Sequence, residues 1–160
     1  MEKKYCKQLI TQVINDSALH WKEYDEPHKK HIKAEIHHNS DYGPTQHYKW
    51  FIELLKKDVK KLNPNYEISD WVSFMVYKKG DYFKPHTDQS SYDAYLSAGY
   101  LLNQDFDGGD YIIKGNTLNN IEIGELFTFS RTDIHEVTQI TKGNRYAIHF
   151  AILNTKKSII

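Results

Sequence analysis

Nine histidines are spread over this 160-residue chain, and the most suggestive one stands in KKGDYFKPHTDQSSYDAY, Lys78 to Tyr95, where His86 and Asp88 flank one threonine. On an extended segment, side chains two apart project from the same face, so an imidazole and a carboxylate at that spacing can reach one ion together. The same pair also arises by chance in ordinary polar turns, and two ligands hold a metal poorly. Further candidates are His47 on a helical stretch, His135 in SRTDIHEVTQI and His149 in RYAIHFAI. Two histidines and one carboxylate leave three adjacent positions open on iron(II), the arrangement that a chelating cosubstrate and dioxygen need. His86, Asp88 and His135 compose such a set.

Those residues have to be held by something. Cys6, Leu9, Ile10 and Val13 recur at helical spacing, which predicts an amphipathic helix over about residues 2–15. The polar, histidine-rich stretch after it holds one expected edge strand, HIKAEIHH, and a turn at Asp41-Tyr42-Gly43-Pro44. From Thr45, a plausible N-cap, to Leu62 an apolar stripe of Phe51 or Ile52, Leu55, Val59 and Leu62 predicts a second helix that Asn63-Pro64 stops. Lys56, Lys57, Lys60 and Lys61 fall away from the stripe and read as a solvated face. Beyond Pro64 the texture changes to short β-branched and aromatic runs such as DWVSFMVYK, AYLSAGYLLN, DYIIKG, IEIGELFTFS and NRYAIHFAIL, parted by Gly, Asn and Asp turns. That pattern predicts an antiparallel sheet, closed or folded into two layers.

Length and charge bound what such a molecule can be. A chain of 160 residues is expected to form one domain, large enough to fold without cross-links. Cys6 is the lone cysteine, which excludes an internal disulfide framework and a zinc site built on several thiolates. The 21 basic and 21 acidic residues cancel, so no broad positive field awaits a nucleic acid, and no nucleic-acid partner is expected. MEKKYCKQLITQVIND carries charge from its second residue and no long apolar run, so neither a signal peptide nor a membrane span is read there. The expectation is a cytoplasmic protein without a membrane partner.

Taken in order, YKKGDYFKPHTD, YLLNQDFDGGDY and GELFTFSRTDIHEVTQITKGNRYAIHF closely resemble the core motifs of the 2-oxoglutarate and iron(II)-dependent dioxygenases of the prolyl 4-hydroxylase type. The resemblance runs from about Trp71 to Leu153 and includes the Gly108-Gly109 turn. It implies an α+β, mainly β fold, a double-stranded β-helix or jelly roll over about 68–154, with N-terminal helices (about 1–64) packed on one sheet, all in a single catalytic domain. It also implies metal ligation by His86, Asp88 and His135, with 2-oxoglutarate and dioxygen as cosubstrates and ascorbate as a reductant. The reaction so implied couples decarboxylation of 2-oxoglutarate, which yields succinate and carbon dioxide, to hydroxylation of an unactivated C–H bond.

Other residues acquire roles from the same resemblance. Arg145, ten residues past His135, matches the Lys or Arg that binds the distal carboxylate of 2-oxoglutarate, a task for which a guanidinium fork is well suited. Tyr77 matches a tyrosine lying against the cosubstrate, and a plain wall aromatic would read the same. Alternation along the last strand puts His149 on the face of Arg145, either beside the metal ligands or as a hydrogen-bonded core histidine. Relatives often carry a tyrosine where this chain has Leu101; Tyr95 or Ser97, on the same face, could replace it. Tyr92, in the polar QSSYD segment, is a candidate substrate contact or a solvent-exposed residue. The substrate implied is a peptide or protein, most simply a prolyl residue, with a free amino acid next. A nucleic-acid base or small molecule as substrate, and a metal-binding β-barrel without turnover, are the alternatives.

Overall fold

The computed structural model describes residues 1–37, 43–88, 94–118 and 120–157. Helix α1 (Lys3–Asn15) buries Cys6, Leu9 and Val13, the stripe its sequence predicts. Two strands follow, β1 (Trp21–Glu26) and β2 (Lys29–His37), paired so that only Pro27 and His28 separate the partners Glu26 and Lys29. A 3-10 turn, Gly43–Tyr48, leads into α2 (Lys49–Leu62), which buries Phe51, Ile52, Leu55 and Val59. The second helix therefore starts later than expected. Thr45 sits within the 3-10 turn, and Tyr48 takes the N-cap position without a side-chain cap bond. Leu62, expected in the stripe, is 52 % exposed because it is the last helical residue. Asn63 then turns extended, as a residue before proline prefers.

The rest is strand: β3 (Tyr66–Tyr77), β4 (Tyr82–His86), β5 (Ala94–Leu101), β6 (Phe106–Gly108), β7 (Tyr111–Ile113), β8 (Asn116–Thr117), β9 (Leu126–Ser130), β10 (His135–Val137), β11 (Ile140–Gly143) and β12 (Arg145–Asn154). All but two join one antiparallel sheet in the order β8-β7-β10-β4-β2-β3-β12-β5-β9, with β1 on β2, while β11 and β6 form a separate ribbon. β2 is not an edge. It lies between β1 and β3, because the charged strand WKEYDE covers its outer side. His38, Asp41 and Tyr42 lie outside the described residues, as does Tyr92.

The sheet curls until its ends meet. Tyr111 on β7 and Phe127 on β9 stand near opposite ends of the strand order, yet their rings are 5.1 Å apart. This is the mainly β jelly roll expected, and alternation then sorts its side chains into two compartments. Ile148 and Phe150 of β12 pair with Phe74 and Val72 of β3 and face the helices, in one core with Leu9 and Leu55. Arg145, Ala147 and His149 pair with Tyr77, Met75 and Ser73 and face the interior of the roll. No helix among the described residues is long and apolar enough to cross a membrane.

Candidate active site

The register of two short strands brings the first pair of candidate ligands together: β10 runs antiparallel to β4 with His135 directly opposite His86. Behind each ring a backbone carbonyl two residues earlier meets Nδ1, Lys84 O at 2.8 Å from His86 and Asp133 O at 3.0 Å from His135. A carbonyl can only accept, so Nδ1 carries the proton in both rings and Nε2 keeps its lone pair. His86 lies flat on Phe83, centroids 3.6 Å apart at 13°, and His135 leans on Phe129 at 4.6 Å. Burial disfavours the imidazolium and lowers both pKa values, that of His86 to about 4. Two neutral imidazoles therefore face each other at neutral pH.

Asp88 arrives by a different route from the one its spacing suggests. β4 ends at His86, so strand alternation does not aim the carboxylate. Arg131 does. The Asp88 N–H donates to Arg131 O at 3.0 Å, and the Arg131 guanidinium donates back to the Asp88 carbonyl. Ser97 Oγ donates to Oδ2 at 2.6 Å. Burial opposes ionisation of Asp88, but His149, the Ser97 hydroxyl and His135 outweigh it and hold the carboxyl well below the usual carboxylate range. Its oxygens lie 3.9 Å from His86 Nε2 and 3.6 Å from His135 Nε2. Two donors each about 2.1 Å from an ion can be up to about 4.2 Å apart, so both gaps can be bridged. One ligand atom from each of the three lies within 4.8 Å of the others, and no other such cluster of His, Cys, Asp or Glu occurs among the described residues.

His149 lines the same cavity rather than the helix-side core. Its Nε2 stands 3.2 Å from Asp88 Oδ2, at ion-pair distance but outside hydrogen-bonding geometry. His47, by contrast, sits exposed in the 3-10 turn, away from the cluster.

Arg145 opens β12 directly across from Tyr77 and is 3 % exposed. Its guanidinium carbon lies 5.4 Å from the Tyr77 ring centre and 5.8 Å from that of Tyr111. Burial pushes its pKa down, opposed by the two phenols. Among the described residues neither a hydrogen bond nor an ion pair reaches this guanidinium, and its buried Nε is unpartnered. A buried cation without an anion is costly, and among the described residues none is placed against it. Gly109 makes the room: at φ 65°, a Cβ there would stand 2.3 Å from Ile140 Cδ1 and 3.0 Å from Arg145 Cδ. A cavity of about 200 Å³ connects Arg145 and Tyr77 with His86, Asp88, His135 and His149.

Of the residues that could replace a tyrosine at Leu101, Ser97 is committed to Asp88, and Tyr95 is 40 % exposed against Tyr66. Tyr111 stands beside Arg145 instead. Its only sequence signal is its place directly after the Gly-Gly turn and Asp110. Arg131 gave none, since its role depends on a contact 43 residues away.

A family model, the 2OG-Fe(II) oxygenase superfamily, matches residues 72–152. No curated protein sequence matches the chain. Among solved structures, a Pseudomonas putida prolyl-4-hydroxylase superposes with a TM-score of 0.70 at 17 % identity, covering 96 % of this chain and 88 % of the other. A Trichoplax adhaerens prolyl hydroxylase, solved in complex with a hypoxia inducible factor oxygen degradation domain peptide fragment, gives 0.71 at 15 %, covering 96 % and 79 %. A viral collagen prolyl hydroxylase from Paramecium bursaria Chlorella virus-1, in its 2OG complex, gives 0.69 at 16 %, covering 95 % and 91 %.

Proposed function

The chain belongs to the 2OG-Fe(II) oxygenase superfamily, and we propose that it is a dioxygenase that hydroxylates an amino-acid side chain of a peptide, a prolyl residue first, in a single catalytic domain working in a reducing compartment such as the cytoplasm. One observation carries the reading: a buried Arg145, with no anion against it among the described residues, shares a cavity with the His86, Asp88 and His135 donors. A dicarboxylate that chelates a metal through one end and needs a cation at the other fits that pairing. Two imidazoles and a carboxylate form the donor set of non-haem iron(II) oxygenases, so the residues present fit the metal.

Bound iron(II), 2-oxoglutarate and dioxygen supply the oxidising power, giving succinate, carbon dioxide and one oxygen atom for the substrate C–H bond. The chain's own residues do the holding. His86 and His135 present fixed Nε2 lone pairs, and Asp88 is kept ionised and aimed by Ser97 and Arg131. Arg145 grips the distal carboxylate with a two-pronged fork. Tyr77 and Tyr111, their ring centres 5.4 and 5.8 Å from the guanidinium carbon, would wall that end against water. His149 lines the same cavity beside Asp88, its Nε2 3.2 Å from Oδ2. A peptidyl proline is favoured as substrate by the prolyl hydroxylases among the structural neighbours, one of them solved with a peptide.

The test is to incubate the protein with iron(II), 2-oxoglutarate, ascorbate and proline-containing peptides. The expected result is a peptide heavier by one oxygen, with about one succinate per hydroxylation. Succinate release that no peptide stimulates would contradict the peptide substrate, and no succinate at all would contradict the oxygenase.

A further inference from the structure

Residues 72–152 do not supply the whole cavity: one wall comes from the β1–β2 hairpin that precedes them, through Tyr24, Lys29, His31 and Lys33. The Tyr24 ring carries both ammonium groups, Lys29 Nζ at 4.1 Å and Lys33 Nζ at 5.7 Å from its centre. Beneath it, His31 is stacked between Tyr24 at 4.9 Å and Tyr77 at 5.0 Å, with Phe83 at 5.2 Å. Phe83 in turn lies flat on His86, so a single ring separates this wall from a metal-ligand candidate. His31 is 3 % exposed, and among the described residues its Nδ1 has no hydrogen-bond partner.

Charge gives the wall its direction. The chain as a whole is balanced, 21 basic against 21 acidic residues, but among the described residues the cavity lining holds Lys29, Lys33 and Arg145 against one carboxylate, Asp88. With Arg145 given to the cosubstrate and Asp88 to the metal, two ammonium groups and an unpartnered imidazole remain. Lys33 touches Glu35 at 2.7 Å and Lys29 touches Glu26 at 3.8 Å, but both glutamates are more than a third exposed. Such contacts are weak and readily exchanged for a better-placed anion.

We infer that the β1–β2 hairpin is a recognition subsite for a carboxylate side chain of the peptide substrate, an Asp or Glu close in sequence to the hydroxylated residue, gripped by Lys29 and Lys33 over Tyr24 with His31 as a neutral donor at its floor. The inference rests on the peptide-hydroxylase reading and adds the substrate's charge to it. Two point charges on flexible stems suit a single carboxylate on a mobile peptide.

The experiment measures binding of N-acetylated, C-terminally amidated proline peptides to the protein loaded with manganese(II) and 2-oxoglutarate. The peptides carry Asp or Glu, Asn or Gln, or Lys at the flanking positions. Acidic peptides should bind about tenfold more tightly than their amide counterparts, a modest gain for a charge pair across an interface. The double variant Lys29→Gln, Lys33→Gln should lose that advantage, and Lys29→Glu, Lys33→Glu should transfer it to the Lys peptides. Calorimetric affinity for 2-oxoglutarate should be the same in all three proteins. Equal binding of acidic and amide peptides, or a preference that survives the Gln double variant, overturns the subsite. Failure of the unmutated protein to bind 2-oxoglutarate would instead overturn the oxygenase reading. Should the charge-reversed protein not fold, by circular dichroism, the Gln double variant still decides the matter.

Discussion

At the scale of single residues, the candidate metal site depends on what stands behind the donors. Carbonyls of Lys84 and Asp133 fix the tautomers of His86 and His135, and Ser97 satisfies an Asp88 oxygen at 2.6 Å. Loss of a hydrogen bond of this kind costs about 10- to 100-fold in metal affinity in known sites. Ser97→Ala should therefore weaken manganese(II) binding by about that factor while the far-ultraviolet circular dichroism stays native. Unchanged affinity would mean that the main-chain clasp of Arg131 on Asp88 suffices to aim the carboxylate. His135→Ala removes a donor outright and should abolish both metal binding and succinate formation with the fold retained; metal content surviving that change would assign the ion elsewhere. His86, Asp88, His135 and Arg145 could be singled out in the sequence because each belongs to a local motif in register, and the structure brings the four around one cavity. Tyr111, Arg131 and His31 could not, since their roles come from contacts that the curl of the sheet creates.

Among the elements, the strands that position the site are short and the register does most of the aiming. β10 has three residues, yet its pairing with β4 sets His135 opposite His86. Gly109 protects Arg145 at the start of β12. An added Cβ there meets Ile140 and Arg145 at a positive φ, so Gly109→Ala should lower both the melting temperature and the affinity for 2-oxoglutarate. A melting temperature and affinity both unchanged would show that the turn tolerates a side chain. β1 is not legible in the sequence because WKEYDE has no apolar alternation, and Pro27-His28, with neither residue at positive φ, lacks the Asn-Gly mark of a two-residue hairpin. The hairpin still matters for stability. His31, facing Tyr24 of β1, Tyr77 of β3 and Phe83 and His86 of β4, and flanked by Lys29 and Lys33, is held at about 4, first by burial and then by those cations. Its unfolded value is about 6.5. Between those values the unfolded chain binds the extra proton, so stability falls as pH drops from about 6.5 towards 4. Denaturant midpoints of the metal-free protein should decline over that window, and less steeply in His31→Phe; an equal decline in both would exonerate His31.

For the molecule as a whole, folding and ligand binding should be linked, because the donors come from β4, β10 and the segment after β4, while Arg145 comes from β12, so the unfolded chain has no such cage. Manganese(II) with 2-oxoglutarate at about 100 times the dissociation constant should add about 2.7 kcal/mol. In a domain near this size each kcal/mol moves the midpoint by about 2–4 °C, so a rise of several degrees is expected in a thermal melt. No rise would count against any joint site. The mainly β class and the N-terminal helices were legible in the sequence, because apolar period and turn residues write them locally. The meeting of β7 with β9 was not, because closure is a property of the whole sheet. Most depends on whether buried Arg145 receives the distal carboxylate of a metal-chelating dicarboxylate. Calorimetric titration of 2-oxoglutarate into manganese-loaded protein tests it most directly, with Arg145→Met as the comparison. The expected result is one site per chain that requires the metal, and an affinity lower by about 2–5 kcal/mol in the variant, roughly 30- to several-thousand-fold, with manganese binding intact. Equal affinity in the two proteins, or 2-oxoglutarate binding that ignores the metal, would contradict it.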